Sequence, residues 1–403
     1  MALIRVLSTM TGTSCDALDV VLLKISKGTI TVEQSDSYAY PAGLAHQILA
    51  LQQPKSTHLL EEILTIDREY SRFVGRSLCR FINRTRAKAD LVSFHGQTIA
   101  HFPPPFGVGT TWQMGDPSIV AQMTRITVAS HFRQGDLAAG GQGAPLVPLF
   151  YEHVSKTLWQ KPDLNGRIFC FHNIGGISNL SVHQARKKTI AFDTGPGNLW
   201  IDAATKSYSK GKLRFDRAGS LAKKGTCDNV TLASLFKHPF LFQPVPKSTG
   251  RDEFPFELFE ALRGKNSKKR NSDEQLNSIR TALEFTVETI AHAYENTLRL
   301  KLAASQQQKP IIFLSGGGAS NDFLVTRLRE RLGYLLEFRK LDDLGLPSQY
   351  VEAIAFGWIA YQSLNGNSVG GPWTGAPATS ANSTGWLTPG KNWKSLISIW
   401  LKP

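Results

Sequence analysis

Ala191-Phe-Asp-Thr-Gly-Pro-Gly-Asn198 sets a carboxylate, Asp193, at the end of a short apolar run that tips into a glycine-rich turn. Three further segments share the design. Leu7-Ser-Thr-Met-Thr-Gly-Thr-Ser-Cys-Asp16 and Asn173-Ile-Gly-Gly-Ile-Ser-Asn179 precede it, and Ile311-Ile-Phe-Leu-Ser-Gly-Gly-Gly318 follows. Each apolar run reads as a strand that empties into small residues with exposed backbone N–H groups, the raw material of an anion-binding nest. Together they predict a nucleotide held between two sheets, with Asp193 where phosphate is delivered. Gly12, Thr13 and Ser14 offer amides and hydroxyls, Gly175 and Gly176 a second set of amides, and Asp16 and Gly316–Gly318 complete the group. G-x-x-x-x-G-K-[ST] does not occur, which excludes the usual P-loop. The dinucleotide fingerprint G-x-G-x-x-G with its downstream acid is missing as well.

Outward from these turns, the periodicity repeats itself. Alternating apolar positions predict strands near 4–6, 17–23 and 30–32, apolar residues at three- and four-residue steps a helix over 58–86, and a short apolar run a buried strand over 90–95. The pattern restarts with strands at 167–172, 180–182 and 189–192, a long helix over 273–300, a strand at 311–314 and a helix over 321–332 capped by Asn321. The fold class is therefore α/β, two related halves with a cleft between them. At 403 residues the chain exceeds what one core usually sustains. We place one domain at 1–131 with 366–403 and the other at 132–365. A glycine-, serine- and proline-rich loop over 366–385 carries the chain to its last segment.

A content of 41% hydrophobic and 19% charged residues describes a globular protein, and no apolar run approaches the length of about 20 residues that spans a bilayer. The first residues read as a strand rather than a secretory signal, so a cytoplasmic location is expected. Four scattered cysteines have no metal-site or disulfide spacing, and Cys15 is expected to pack rather than react. The net charge of +14 gathers in 76–88 and 265–270. The first run reads as the polar face of an amphipathic helix. Neither run has interleaved aromatics or a nucleic-acid module, so steering of anionic substrates such as ATP accounts for the charge without nucleic acid as partner.

Eight ordered segments carry a resemblance: Met10–Asp16, Ser93-Phe-His-Gly-Gln-Thr98, Phe132-Arg133 with Asp136–Pro145, Asn173–Gly176, Phe192–Asn198, Lys247-Ser-Thr-Gly-Arg251, Gly316–Gly318 and Glu352-Ala-Ile-Ala-Phe356. In this order they resemble the anhydro-N-acetylmuramic acid kinase family, of the actin/Hsp70/sugar-kinase fold. The resemblance implies two actin-like domains and an ATP- and Mg2+-dependent enzyme that opens the 1,6-anhydro bridge of a sugar with water and phosphorylates the freed O6. It makes Asp193 the general base for that water. Gly12, Thr13, Ser14 and Asp16 become the first phosphate and magnesium loop, with Asp16 reaching the metal directly or through water. Gly175 and Gly176 become the second phosphate loop and Gly316, Gly317 and Gly318 the adenosine loop. His95, Gln97, Arg133 and Asp136 fall on the sugar side, and Glu352 opens a helix from which it reaches the cleft or favours the positive helix end. Family members are often dimers, so a homodimer is the assembly it suggests.

Departures from the family pattern bear on the sugar. Thr11 replaces a serine and Ala17 a frequent glycine, so the turn at 17 must avoid positive φ. His131 stands where an aspartate commonly precedes Phe-Arg, and Pro255 where an asparagine often follows Phe254. Trp112-Gln-Met-Gly-Asp-Pro117 is similar to the run in the muramic acid enzymes, whereas Leu387-Thr-Pro-Gly-Lys-Asn-Trp393 resembles the tails of fungal members, including levoglucosan kinase. Levoglucosan is thus the alternative substrate. A catalytically silent sugar- or nucleotide-binding protein is the alternative from another class, and its signature would be a lost base or phosphate turn.

Overall fold

The computed structural model describes residues 3–400 except 13, 54–55, 105–108, 246, 251–252, 263–270, 303–307 and 377–384. The first strands are β1 (Ile4–Met10), β2 (Ala17–Ser26) and β3 (Thr29–Ala39), followed by helices α1 (Ala42–Leu51) and α2 (Leu60–Thr85). Next come β4 (Leu91–Phe94), β5 (Gln97–Phe102), β6 (Thr110–Met114), α3 (Pro117–Thr124), β7 (Thr127–Ser130), α4 (Phe132–Ala138) and α5 (Pro148–Trp159). The pattern then restarts with β8 (Phe169–Ile174), β9 (Ile177–His183), β10 (Ile190–Pro196), α6 (Leu199–Tyr208), α7 (Asn229–Leu235), α8 (Phe256–Leu262) and α9 (Ser272–Leu302). The remainder is β11 (Ile311–Ser315), α10 (Asp322–Leu332), β12 (Glu337–Lys340), α11 (Val351–Leu364), β13 (Trp386–Thr388) and α12 (Trp393–Trp400).

Two sheets follow one topology. In the first, the order is β13-β7-β4-β1-β2-β3; in the second it is β10-β9-β8-β11-β12. In each, three antiparallel strands form a meander whose first strand then pairs in parallel with a later one, β1 with β4 and β8 with β11. β7 and β12 extend these parallel sets. The repeated α/β halves expected from sequence are this repeated topology. Tight turns set the meanders. Lys27 and Gly28 both take positive φ, the two-residue hairpin that matches strand twist, and Gly175–Gly176 join β8 to β9.

The chain divides into two compact units, Met1–His153 with Gly345–Pro403, and Val154–Leu344. The domain limits expected from sequence differ: residues 132–153 and 345–365 belong with the first unit. The reason is burial. α11 is apolar on nearly every side and covers β1, β2 and β4, with Ser8 Oγ donating to Ala353 O at 2.6 Å and Ser93 Oγ to Phe356 O at 2.8 Å. A helix hydrophobic all round must be enclosed, and this sheet encloses it.

Each unit has its own core. In the first, Leu7, Val20, Leu22, Val92 and Val128 of the sheet meet Ile48 of α1 and Phe73, Val74, Leu78 and Phe81 of α2. In the second, α9 runs through the middle, its Ile279, Leu283, Phe285 and Ile290 packed with Phe192, Trp200, Ile312 and Leu328. Expected helix caps are in place, with Asn321 Oδ1 accepting from Leu324 N at 3.0 Å. The basic run at 265–270 and residues 377–384 of the expected loop lie outside the described residues.

Candidate active site

Asp193 sits near the end of β10, where the pairing with β9 slips between Asp193 and Gly195. Gly195 takes φ +133, and the resulting bulge re-aims the strand at its last apolar residue. A second segment, 247–249, closes on the aspartate. Asp193 N donates to Lys247 O at 2.9 Å, while Asp193 Oδ2 accepts from Ser248 Oγ at 3.0 Å and Thr249 N at 2.8 Å. Oδ1 carries no bond among the described residues, so one carboxylate oxygen is pinned and the other is left without a protein donor there. Burial pushes the Asp193 carboxyl up to about 6, against the opposing pull of Thr249, Ser248 and Lys247. It is ionised at neutral pH and basic enough to take a proton from bound water.

Lys247 anchors the segment. Its ammonium donates to Phe240 O at 2.9 Å and Leu241 O at 2.8 Å, and lies 4.6 Å from the centre of the Phe240 ring. Burial lowers it to about 8, and Asp193 opposes that shift. Among the sequence candidates only Asp193 came from this group. Lys247, Ser248 and Thr249 were visible as part of a motif without a role. Arg251 of the same motif lies outside the described residues.

The glycine turns of the second unit converge. Gly197 N donates to Gly176 O at 2.8 Å, Asn198 N to Gly175 O at 2.7 Å, and Asn198 Nδ2 to Ile174 O at 3.1 Å. The carbonyls of Gly175 and Gly176 are thus engaged from below, whereas their N–H groups have no acceptor among the described residues. Gly316 stands against the same strand end. Its φ of 78 and ψ of 177 suit glycine alone, and a side chain there would overlap Asn173 Oδ1. Gly317 and Gly318 continue into a short helical turn over Gly317–Ser320. The structure therefore brings Gly175, Gly176 and Gly316–Gly318 together beyond the ends of β8 and β11, where this sheet type receives ligands.

In the first unit, the turn after β1 exposes Gly12, Ser14 and Asp16; Thr13 lies outside the described residues. Cys15 carries the turn's left-handed conformation at φ 54, and Ala17 starts β2 without it. The Cys15 thiol is buried and pushed up to about 11, so it packs. Gln97 is fully buried. Its Oε1 accepts from Thr11 at 3.1 Å and Tyr40 at 2.9 Å, and its Nε2 donates to Gly12 O at 3.1 Å. Gln97 was expected on the sugar side; its geometry is that of a strut for the first glycine turn.

His95 and Arg133 form a unit. Arg133 Nε donates to His95 Nε2 at 3.0 Å, which puts the imidazole proton on Nδ1, 2.8 Å from Gly96 O. Burial and Arg133 push His95 down to about 3, so it is neutral. Arg133 Nη1 also donates to Gly143 O at 2.9 Å, and burial lowers the guanidinium to about 10 while Glu352 and Asp136 raise it. Glu352, half-buried at the start of α11, is pushed up by burial, pulled down by Arg133 and pushed up by Asp19. These three polar groups stay together around Phe356, which touches both His95 and Arg133.

Asp136 departs from this cluster. It is fully buried, accepting from Gly143 N at 2.7 Å and Thr374 Oγ1 at 2.9 Å, with no ion pair to Arg133 among the described residues. Its side chain ties two loops instead of facing a ligand. His131 takes a left-handed φ of 57 before α4, bonds Ser130 Oγ at 2.8 Å, and stacks on Trp386 of β13 at 4.2 Å. Pro255 precedes α8, and its neighbour Phe254 is buried, its carbonyl accepting from Trp200 Nε1 at 2.9 Å.

Among the described residues no helix is long and apolar enough to cross a membrane, and no three His, Cys, Asp or Glu side chains gather as a metal cluster. A family model described as anhydro-N-acetylmuramic acid kinase matches residues 4–390. Proteins of that name are similar along most of the chain. The one from Picosynechococcus sp. is 35% identical over 368 residues, 89% of this chain and 92% of the relative. Those from Neisseria meningitidis and Vibrio vulnificus are 34% and 32% identical, covering 88% of this chain and 91% and 90% of their own. The ordered glycine turns, the aspartate on its bulge and this end-to-end similarity agree: the chain belongs to the anhydro-N-acetylmuramic acid kinase family.

Proposed function

We propose that the chain is an ATP-dependent kinase of 1,6-anhydro-N-acetylmuramic acid that couples hydrolytic opening of the anhydro bridge to phosphorylation at O6. The observation that carries this reading is Asp193, with Oδ2 held by Ser248 and Thr249 and Oδ1 open. Oδ1 takes a proton from water as the water oxygen bonds to the anomeric carbon. The bond from that carbon to O6 breaks, and its electron pair stays on O6. O6 then bonds to the γ-phosphorus of ATP as the bond to ADP breaks. The anhydro bridge leaves O6 without a proton, so the base acts on water and not on the sugar hydroxyl. Beyond that, phosphoryl transfer needs mainly positioning and charge neutralisation.

The turns at Gly175–Gly176 and Gly316–Gly318 suit the nucleotide, and Gly12, Thr13 and Ser14 a phosphate. Asp16 and Ser14 are exposed hard-oxygen donors of the kind Mg2+ accepts when it keeps most of its waters. Bound there, Mg2+ would supply neutralisation of phosphate charge. His95, Arg133 and Glu352 are assigned to the sugar, with Gln97 and Asp136 holding the loops beside them. With ATP as its phosphate donor, the protein is assigned by this reading to the cytoplasm, where ATP is at hand. The test is ATP turnover with 1,6-anhydro-N-acetylmuramic acid and with levoglucosan, the product followed by mass. A 6-phosphate carrying one added water from the first sugar supports the reading. Turnover of levoglucosan alone overturns the substrate, and turnover of neither overturns the activity.

A further inference from the structure

The basic run of the first unit takes part in none of this chemistry, yet it is built at a cost. Between Glu69 and Asp90 there is no acid, and Arg72, Arg76, Arg80 and Arg84 recur every fourth residue on α2. Like charges at that spacing repel along a helix. Beside them lies a groove of about 660 Å3, lined by Arg76, Cys79, Arg80, Asn83, Arg84 and Met123. Gly75 lets Met123 pack close against α2, because any side chain there would collide with Met123 Sδ. Cys79 Sγ donates to Met123 O at 3.5 Å at the side of the groove.

Two of the arginines are held by neighbouring side chains. Arg84 pairs with Asp36 at 2.8 Å and Arg80 lies over the Tyr38 ring at 6.0 Å. Arg76 and Arg80 have no ion-pair partner among the described residues. Asn83 adds an exposed amide. From Arg76 to Arg84 the stretch is only about 12 Å at the rise of a helix, and the neighbouring groove, shared by Arg72 and Arg76, contains Glu69. A long polyanion would find its track interrupted. A compact anion would not.

We propose that this groove binds a small phosphate-bearing molecule with two or more negative charges, held in forked hydrogen bonds by Arg76, Arg80 and Arg84. Its test reads the groove locally: phenylglyoxal labelling of arginines in the full chain, mapped by peptide mass spectrometry, with pyrophosphate, glucose 6-phosphate or a single-stranded oligonucleotide as probes. At about 5 mM probe and a Kd of about 1 mM, labelling of Arg76 and Arg80 slows about six-fold. Protection by both small probes identifies the phosphate group as the determinant, and protection by pyrophosphate alone narrows the ligand to a polyphosphate. In Arg76→Gln the protection of Arg80 is lost while kinase turnover stays at the wild-type level. Equal protection by sodium chloride at matched ionic strength overturns the proposal, as does protection by the oligonucleotide alone, or no protection at all.

Discussion

A carboxylate whose proton affinity is raised by burial must keep its neighbours in order to work as a base. Asp193→Asn removes the acceptor for the water proton and should lower turnover of the anhydrosugar by about 10²–10⁴-fold. In the wild type, turnover should fall as pH drops through about 6, where Asp193 takes up its proton. Because the folded carboxyl titrates above its unfolded value, the native state binds that proton first. This group therefore favours folding most at low pH and least above 6. Asp193→Asn should match the wild-type urea midpoint near pH 4 and exceed it at pH 8. Ser248→Ala removes a donor to Oδ2, and a lost charge-assisted bond is worth about one pH unit. The acid limb of the rate profile should move up by that amount, and an unmoved limb would show that Ser248 does not act on the base. At this scale the sequence exposed Asp193 and the motif of its partners, but not that the two meet. The partners lie more than fifty residues away in irregular chain with no periodicity to read. Gln97 and Asp136 entered as sugar-side residues through the family resemblance, and only burial and bonding show each of them bracing a loop.

Elements were more legible than their edges. β1, β8 and β11 announced themselves as short apolar runs before glycine, because a strand that must stop for a ligand leaves that signature. β12 and β13 gave little signal, one being charged and the other three residues long. Gly316→Ala tests the turn that the sequence did show. Forcing a side chain into φ 78, ψ 177 costs about 1–3 kcal/mol, to be seen as a lower urea midpoint together with weaker ATP binding. β13 is held by Asn392, which accepts from Thr127 N at 2.8 Å and Thr127 Oγ1 at 2.9 Å and donates to Asp90 O at 2.7 Å. Asn392→Ala leaves buried partners unpaired and should destabilise the first unit by about 1–3 kcal/mol. Trp386, stacked on His131, should then lose its fixed near-ultraviolet dichroism before global unfolding.

The molecule as a whole repeats one topology, and that repetition was readable because each copy opens with the same strand–turn–strand grammar. The boundary was not. α11 looks like any apolar helix, and nothing local says which sheet will cover it. The second unit is one continuous stretch with its own core, so residues 154–344 expressed alone should unfold cooperatively in urea. Residues 1–153 alone should not, lacking α11 over β1 and β4. A cooperative transition in residues 1–153 alone would show that the strands of the first unit are stable without that cover.

α11 and β13 also set a timetable. During synthesis the first unit emerges early, but its sheet has one face bare until residues 351–364 arrive and one edge unpaired until 386–388 do. The second unit can be complete while the first still waits. The half that is translated first is the half finished last, and its open strand β7 is the place where a nascent chain most needs protection from its neighbours.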